Sequence, residues 1–473
     1  MRCLLVEDER PRIDAVIGKL LAAFGTVDVA EDRDSAIAFI SAQPYDLVVL
    51  DQRIPSGPDQ LNADVIHGRA VLDHIRGEAP HTVVYFLTAL PMEDDYIDQL
   101  VEQGEKLDIY GDRLPVALVR RFHKVKLDPF FAAVEELAAT ARITGHIEIN
   151  AKGRPLGLDE DQLRLLRCFG RLQNGICVDV ESINDGLSGA RVLKADVKDS
   201  QGQVRMSAVG KLGKFTDIAS EVRRYEREVM RLPTGTYAPL LPPPQARVRN
   251  QLAAFYRLLD GYDRTIFDVV NASDRDAASC VASMQAAEEV WTNKPRVEQK
   301  SVLDHAKLLI WEDRLPKVHS LIPDIDWKSY EDKTVSVNHC TRHGDLHGEN
   351  ARVNANLHVM MLDYGSVDPL PSAIDAITLE LSPFFHPHGH RGLLNWQPGQ
   401  GPIDWFDVEA FAALTSVPQY IMACRGWAHE RAFGEREVLA CAYVYVMRQL
   451  QFPGADVELA RAILPGIVAN GLK

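Results

Sequence analysis

Nine residues in the second half of the chain, RHGDLHGEN (342–350), place two acids, two histidines and an asparagine just before an apolar run. Asp345 and Asn350 stand five apart, the spacing that lets one loop aim a carboxylate at an acceptor hydroxyl and an amide at a metal ion. Thirteen residues beyond Asn350, the strand-like MMLDYG delivers Asp363 where a second metal ligand is wanted, and Gly365 leaves the chain free to turn. A second group of acids sits at the other end. The run CLLVEDE (3–9) closes on Glu7 and Asp8, LVVLD (47–51) ends in Asp51, and VVYFLT (83–88) ends in Thr88. Carboxylates converging at one point repel one another unless a divalent cation lies between them, and hard oxygen ligands suit Mg²⁺.

The elements that must position this second group alternate. Short apolar runs at 3–7, 27–30, 47–51, 83–88 and 118–124 are separated by helical stretches such as RIDAVIGKLLAAF and RDSAIAFISA. Continuous apolar runs read as strands buried on both faces, so an α/β fold with a doubly wound five-stranded parallel (βα)5 sheet is expected. In such sheets a site forms outside the carboxyl ends of the strands, where Glu7, Asp8, Asp51 and Thr88 fall. Through LLVEDE, VVLDQRIP, FLTAL and a lysine before DPFFAAVEEL, residues 1 to about 140 resemble the receiver domain of two-component response regulators. The resemblance implies that Asp51 accepts a phosphoryl group from a sensor histidine kinase, that Glu7, Asp8 and Asp51 hold Mg²⁺, and that Thr88 and Lys124 meet the new phosphate. Lys126 competes with Lys124, and Val125 or Leu127 stands where the family has proline. Two stretches are longer than the family's, SGPDQLNADVI after Pro55 and PMEDDYIDQLVEQGEKLDIYGDRLP after Thr88.

From about 165 the pattern changes to an α+β order, β-rich and then helical. GICVDVESINDGLSGARVLKADV reads as strand, turn, strand; QVRMSAVGKL is another strand, and IASEVRRYEREVMRL an amphipathic helix. Gly186, Ser188 and Gly189 lie in a turn whose N–H groups can approach phosphate, although a plain hairpin turn uses the same residues. Lys211 can reach phosphates from its strand, and Glu228 can pair with it, with Glu221 and Glu226 as competitors. Backbone groups from Leu258 to Gly261 can bind an adenine edge. Together with HGDLHGEN and MMLDYG, these resemble the protein-kinase-like superfamily in its aminoglycoside phosphotransferase and choline kinase branch, with HGD for HRD. That resemblance implies a bilobal fold with a helical C-terminal lobe and ATP with Mg²⁺ on Asn350 and Asp363. It also implies Asp345 as the catalytic group on a hydroxyl acceptor and Asp375 bracing the loop. Tyr364 replaces the usual phenylalanine, and no APE motif follows.

A chain of 473 residues exceeds the roughly 250 to 300 that one core supports. The expected division is a receiver at 1–141, a linker at 142–164, and a kinase-like portion at 165–473. A net charge of −15 disfavours nucleic-acid binding, which draws on clustered Lys and Arg. No apolar run of about 18 residues suits a membrane. The start MRCLLVEDER lacks a secretory core, and seven scattered cysteines without a CxxC pair read as free thiols, so a cytoplasmic protein is expected. A metal-hydrolase reading of RHGDLH lacks a second histidine group with ligand spacing, and HPHGH (386–390) reads as a surface loop. Expected partners are a cognate histidine kinase, an unknown small-molecule or protein acceptor, and a second copy through the receiver. The alternative to an enzyme is a signalling scaffold whose kinase-like portion binds ATP without transferring phosphate.

Overall fold

The computed structural model describes residues 1–89, 99, 101, 104–153, 155–185, 190–242, 247–292 and 295–473. The chain forms two compact units: Met1–Ser220 with Pro239–Leu258, and Glu221–Ala238 with Leu259–Lys473.

The first unit opens with strands β1 (Arg2–Val6), β2 (Thr26–Ala30), β3 (Leu47–Leu50) and β4 (Val83–Thr88). A two-residue ribbon follows, β5 (Lys106–Leu107) with β6 (Val116–Ala117), and then β7 (Val119–His123). The parallel order is β2-β1-β3-β4-β7, the doubly wound arrangement expected from the alternating runs. Helices α1 (Arg10–Phe24), α2 (Arg33–Ala42), α3 (Val65–Glu78) and α4 (Leu127–Gly145) cover its faces. Their starts are written locally. Asp32 caps α2 by accepting from Ser35 N at 2.8 Å, and Asp64 caps α3 by accepting from Ile66 N at 3.0 Å. All six residues of β4 are buried, as a central parallel strand requires.

A second sheet completes this unit. Strands β8 (Glu148–Ala151), β9 (Cys177–Asp185), β10 (Arg191–Lys198), β11 (Val204–Lys214) and β12 (Gln251–Arg257) lie in the order β12-β11-β10-β9-β8. Residues 142–164, read from sequence as a linker, contain the end of α4, all of β8 and the start of helix α5 (Glu160–Leu172). β8 pairs in parallel with β9, whereas the other neighbours are antiparallel. Helix α6 (Phe215–Arg227) follows β11.

Helix α5 joins the two sheets because it has two working faces at helical spacing. Leu165, Leu166 and Phe169 enter the core of the second sheet, where Phe169 stacks on Phe255 at 3.7 Å. Arg164, Cys168 and Arg171 face the first sheet. Arg164 pairs with Asp46 at 3.1 Å, Arg171 with Asp112 at 3.0 Å, and Cys168 Sγ donates to Ile109 O at 3.4 Å. The loop they meet belongs to the longer stretch after Thr88. Asp108 shapes it by accepting from the N–H groups of Gly111 at 2.6 Å and Arg113 at 2.8 Å. Gly111 has φ +74°, and a Cβ there would lie 2.1 Å from Cys168 O, so the close approach demands glycine. A second tie runs through Arg247. Its N–H donates to His81 Nδ1 at 2.8 Å, its guanidinium donates to Gly77 O at 3.3 Å, and the same guanidinium lies 4.5 Å over the Phe215 ring. Asp46, His81 and the 108–113 loop all precede strands of the parallel sheet, so this seam lies at the strands' amino ends.

The second unit packs helices around two small sheets, β13 (Arg264–Thr265) with β16 (Ala351–Val353) and β17 (Val359–Met361), and β14 (Arg296–Ser301) with β15 (Thr334–Arg342) and β18 (Asp368–Pro371). Its longer helices are α7 (Asp274–Ala287), α8 (Ile374–Phe385), α9 (Pro418–Arg431), α10 (Glu435–Leu450) and α11 (Val457–Gly471). Every residue of α8 is buried, including Asp375 and Glu380. Glu380 is matched by Arg425 at 2.6 Å, whose guanidinium lies 3.6 Å over Trp405. Trp405 and Trp427 are both buried in the core of this unit. No helix among the described residues is long and apolar enough to cross a membrane.

Candidate functional site

At the carboxyl ends of β1 and β3, ligand oxygens of Glu7, Asp8 and Asp51 lie within 4.8 Å of one another. Lys124, one residue past β7, reaches Glu7 at 2.6 Å and Asp51 at 2.7 Å. Lys126 is exposed and immediately precedes α4, so of the two candidate lysines Lys124 is in the pocket. Thr88 closes β4 beside it: Thr88 O accepts from Lys124 N at 2.9 Å, and its side chain is buried. Burial, only partly offset by Lys124, pushes Glu7 up to about 7 and raises Asp51 above the usual carboxylate range. Carboxylates that resist ionisation so close together fit a divalent cation, and the donor set is all hard oxygen.

The second site grows from β15. Its last residue, Arg342, is fully buried and pairs with the equally buried Glu288 at 2.9 Å, which fixes where the strand ends. Next, the N–H groups of His343 and Gly344 donate to the Asp375 carboxylate at 2.7 and 2.8 Å. His343 Nε2 meets Leu362 O at 2.8 Å. Asp345 follows, its carboxylate 3.0 Å from the Arg448 guanidinium. Burial would raise the Asp345 carboxyl, but Arg448 and then His347 outweigh it and hold it below its ordinary value. The β16–β17 hairpin pairs Ala351 with Met361, and Leu362 N donates to Asn350 O at 2.8 Å, so Asn350 and Asp363 flank one end of the hairpin. Asn350 Nδ2 donates to Asp345 O at 2.8 Å and meets His347 Nε2 at 3.1 Å, so the amide nitrogen faces the loop. Asp363 has φ +57° and accepts from Gly365 N at 3.3 Å. One amide oxygen and one carboxylate at a hairpin end suit a hard cation.

Several expected residues stand differently. Glu228 lies just beyond α6, which ends at Arg227, and its carboxylate is taken by Arg227 at 2.9 Å, Arg231 at 2.7 Å and Thr341 at 3.2 Å. The competitor Glu221 is the buried one. The Leu258 N–H donates to Ser207 O at 2.9 Å and so is spent on the edge of the sheet rather than available to an adenine. Lys211 is buried in β11 between Val192 and Ala254. Gly186, Ser188 and Gly189 lie outside the described residues. Of the histidine-rich segment, His386 stacks on His347 at 4.5 Å and His388 lies 3.3 Å from Glu349. Arg448 was missed altogether. Its signal was a lone arginine in the apolar helix YVYVMRQL, which a buried setting obliges to find an acceptor.

Fold and geometry together define a doubly wound parallel α/β sheet with an acid nest at its carboxyl edge, joined in one chain to an α+β portion in which Asp345, Asn350 and Asp363 gather at one hairpin end. Over 118 residues the chain is 33% identical to the transcriptional regulatory protein DltR of Streptococcus agalactiae serotype III (strain NEM316), a match covering 23% of this chain and 49% of that protein. The chain thus spans about half the length of the curated relative it matches. Among solved structures it is similar to the receiver domain of the Francisella response regulator 1452, at 21% identity and TM-score 0.22, covering 29% of this chain and 96% of that one. It is also similar to an aminoglycoside-3'-phosphotransferase of type VIII, at 12% identity and TM-score 0.34, covering 58% of this chain and 94% of that one. No protein-family profile matches the chain.

Proposed function

We propose that the chain is a two-component response regulator in which Asp51, phosphorylated by a sensor histidine kinase, controls an ATP-dependent phosphotransferase acting on a hydroxyl acceptor in the cytoplasm. The observation that carries this reading is the seam inside the first unit. Strand β4 runs from the residues after His81, tied to Arg247, to Thr88 beside the acid nest. Arg247 in turn stacks on Phe215, the first residue of α6, the helix that carries Glu221. Phosphorylation replaces the Asp51 carboxylate charge with a phosphoryl group of roughly −1.5 to −2 placed farther out, which draws Thr88 and Lys124 onto the new oxygens and pulls on both ends of that path.

In the second unit, Asp345 accepts a hydrogen bond from the acceptor hydroxyl and points its oxygen along the line of transfer. Asn350 and Asp363 would hold Mg²⁺ there, and Glu7, Asp8 and Asp51 would hold it in the nest; the ion supplies neutralisation of phosphate charge at both places.

Full-length protein treated with a small acyl phosphate and Mg²⁺ is expected to release ADP from ATP at an altered rate, and Asp51→Asn to lose that response. Equal rates with and without the donor sink the control. ADP release that survives Asp345→Ala sinks the transferase, and firm ATP binding without turnover makes the second portion a nucleotide-sensing scaffold.

A further inference from the structure

Helix α10 spans the distance between the start of α8 and the catalytic loop. Near its first turn, the buried Glu437 gathers four donors: Asn338 N at 2.8 Å, Phe433 N at 2.7 Å, the Ser372 hydroxyl at 2.8 Å and Ala373 N at 3.3 Å. Eleven residues on, three turns and about 16 Å away on the same face, stands Arg448. Midway, Tyr443 donates to the buried Glu331 at 2.8 Å. The helix is thereby fixed along its length, and its last turn presents one guanidinium to one place. Arg448 Nη1 donates to Gly344 O at 3.0 Å and forms an ion pair with Asp345 Oδ1, also at 3.0 Å. The loop is consequently held from two sides, by Asp375 of α8 through the N–H groups of His343 and Gly344, and by Arg448 of α10 through the carbonyl of Gly344 and the side chain of Asp345.

The division of labour within the Asp345 carboxylate follows. Oδ1 is taken by Arg448, while Oδ2 has His347 Nε2 at 4.0 Å, too far for a hydrogen bond. The Asp345 side chain is 31% exposed and that of Arg448 only 13%, so the aspartate meets what enters and the arginine stands behind it. We propose that Arg448 is a positioning residue: from α10 it fixes the Asp345 carboxylate so that Oδ2 is aimed at the acceptor hydroxyl, and transfer depends on a side chain that never touches substrate. This rests on the reading of Asp345 as the group that orients the acceptor. The geometric reason for needing such a residue is that an aspartate free to rotate about χ1 and χ2 spreads its oxygen over several directions, of which only one is in line.

The experiment uses the full chain as wild type, Arg448→Met and Arg448→Lys, with Mg-ATP and water as the acceptor, following ADP release and, separately, ATP affinity by calorimetry. Arg448→Met is expected to lower kcat roughly 10- to 100-fold. KM and Kd for ATP should stay within about twofold, because removing even one good hydrogen bond to the nucleotide would weaken binding by more than that. Arg448→Lys, which restores a donor and a charge, should recover most of the lost kcat. Unchanged kcat in Arg448→Met overturns the proposal, as does a joint loss of ATP affinity and kcat that lysine does not rescue. If the wild type releases no ADP, or Asp345→Ala releases it normally, the transferase reading fails by itself. Hydrogen exchange at 343–350 then judges the positioning: faster exchange in Arg448→Met, reversed by lysine, supports it, and unchanged protection overturns it.

Discussion

Asp375→Ala tests most directly the reasoning about the loop at 343–350. The Asp375 carboxylate is wholly buried and accepts two backbone N–H groups at 2.7 and 2.8 Å. Hydrogen bonds to a charged acceptor contribute roughly 1.5 to 3 kcal/mol each, so their loss costs about 3 to 6 kcal/mol and leaves two buried donors unmatched. Part of this is returned, because burial raises the Asp375 carboxyl above its ordinary value and the variant no longer has to desolvate it. A net loss of about 3 kcal/mol remains. All six tryptophans, at 291, 311, 327, 396, 405 and 427, lie in the second unit, so urea unfolding followed by tryptophan fluorescence reads that unit alone. For a unit of this size the expected fall in Tm is about 6 to 12 °C, with an unchanged urea m-value. Asp375→Asn keeps one acceptor oxygen and should lose about half as much. A shift under about 1 kcal/mol in Asp375→Ala would refute the claim that this side chain holds the loop.

Three further outcomes follow from the first unit. Gly111→Ala should cost about 2 to 4 kcal/mol, from positive φ and a Cβ driven into Cys168 O, and should open the seam to limited proteolysis; wild-type resistance would count against tight docking. Lys124→Met should tighten Mg²⁺ binding to the nest about tenfold or more in calorimetry, since a competing cation is removed from between Glu7 and Asp51; weaker binding would contradict the proposed ligand set. Burial, with Arg247 and Arg76 nearby, pushes His81 down to about 4 from its ordinary 6.5. Between those pH values the unfolded chain binds a proton that the folded chain refuses. Stability contributed by neutral His81 is thus full above the ordinary value and falls with pH toward 4, by about 1 to 2 kcal/mol after solvent screening. Circular dichroism unfolding of wild type against His81→Gln checks that slope.

Much of the parallel sheet was legible because its strands are short apolar runs ending in acids, and the chemistry hangs on those ends. Strand β3 and the residues Glu7, Asp8, Asp51 and Thr88 needed no knowledge of distant partners. The spacing from Asp345 to Asn350 was equally local. β8 was not readable: four residues, EINA, carry too little alternation, and the strand exists only because Cys177–Val180 lies alongside. Glu228 was preferred over Glu221 because both sit in one amphipathic stretch, and nothing local shows that the helix stops at Arg227. Arg448 belongs to the same class of omission, since its partner lies about a hundred residues away in sequence.

The seam at the amino ends of the strands has a mechanical corollary. On the proposed reading, a message from the nest to the seam runs along β4, about 17 Å of chain enclosed on both faces. A strand so enclosed cannot slip by one residue without turning every side chain to the wrong face, so it transmits as a stiff rod. On the proposed reading, phosphorylating Asp51 should therefore displace the far end of β4 by fractions of an ångström rather than remodel it, and softening the rod at its middle, for instance with Tyr85→Gly, should silence the response while leaving both termini intact.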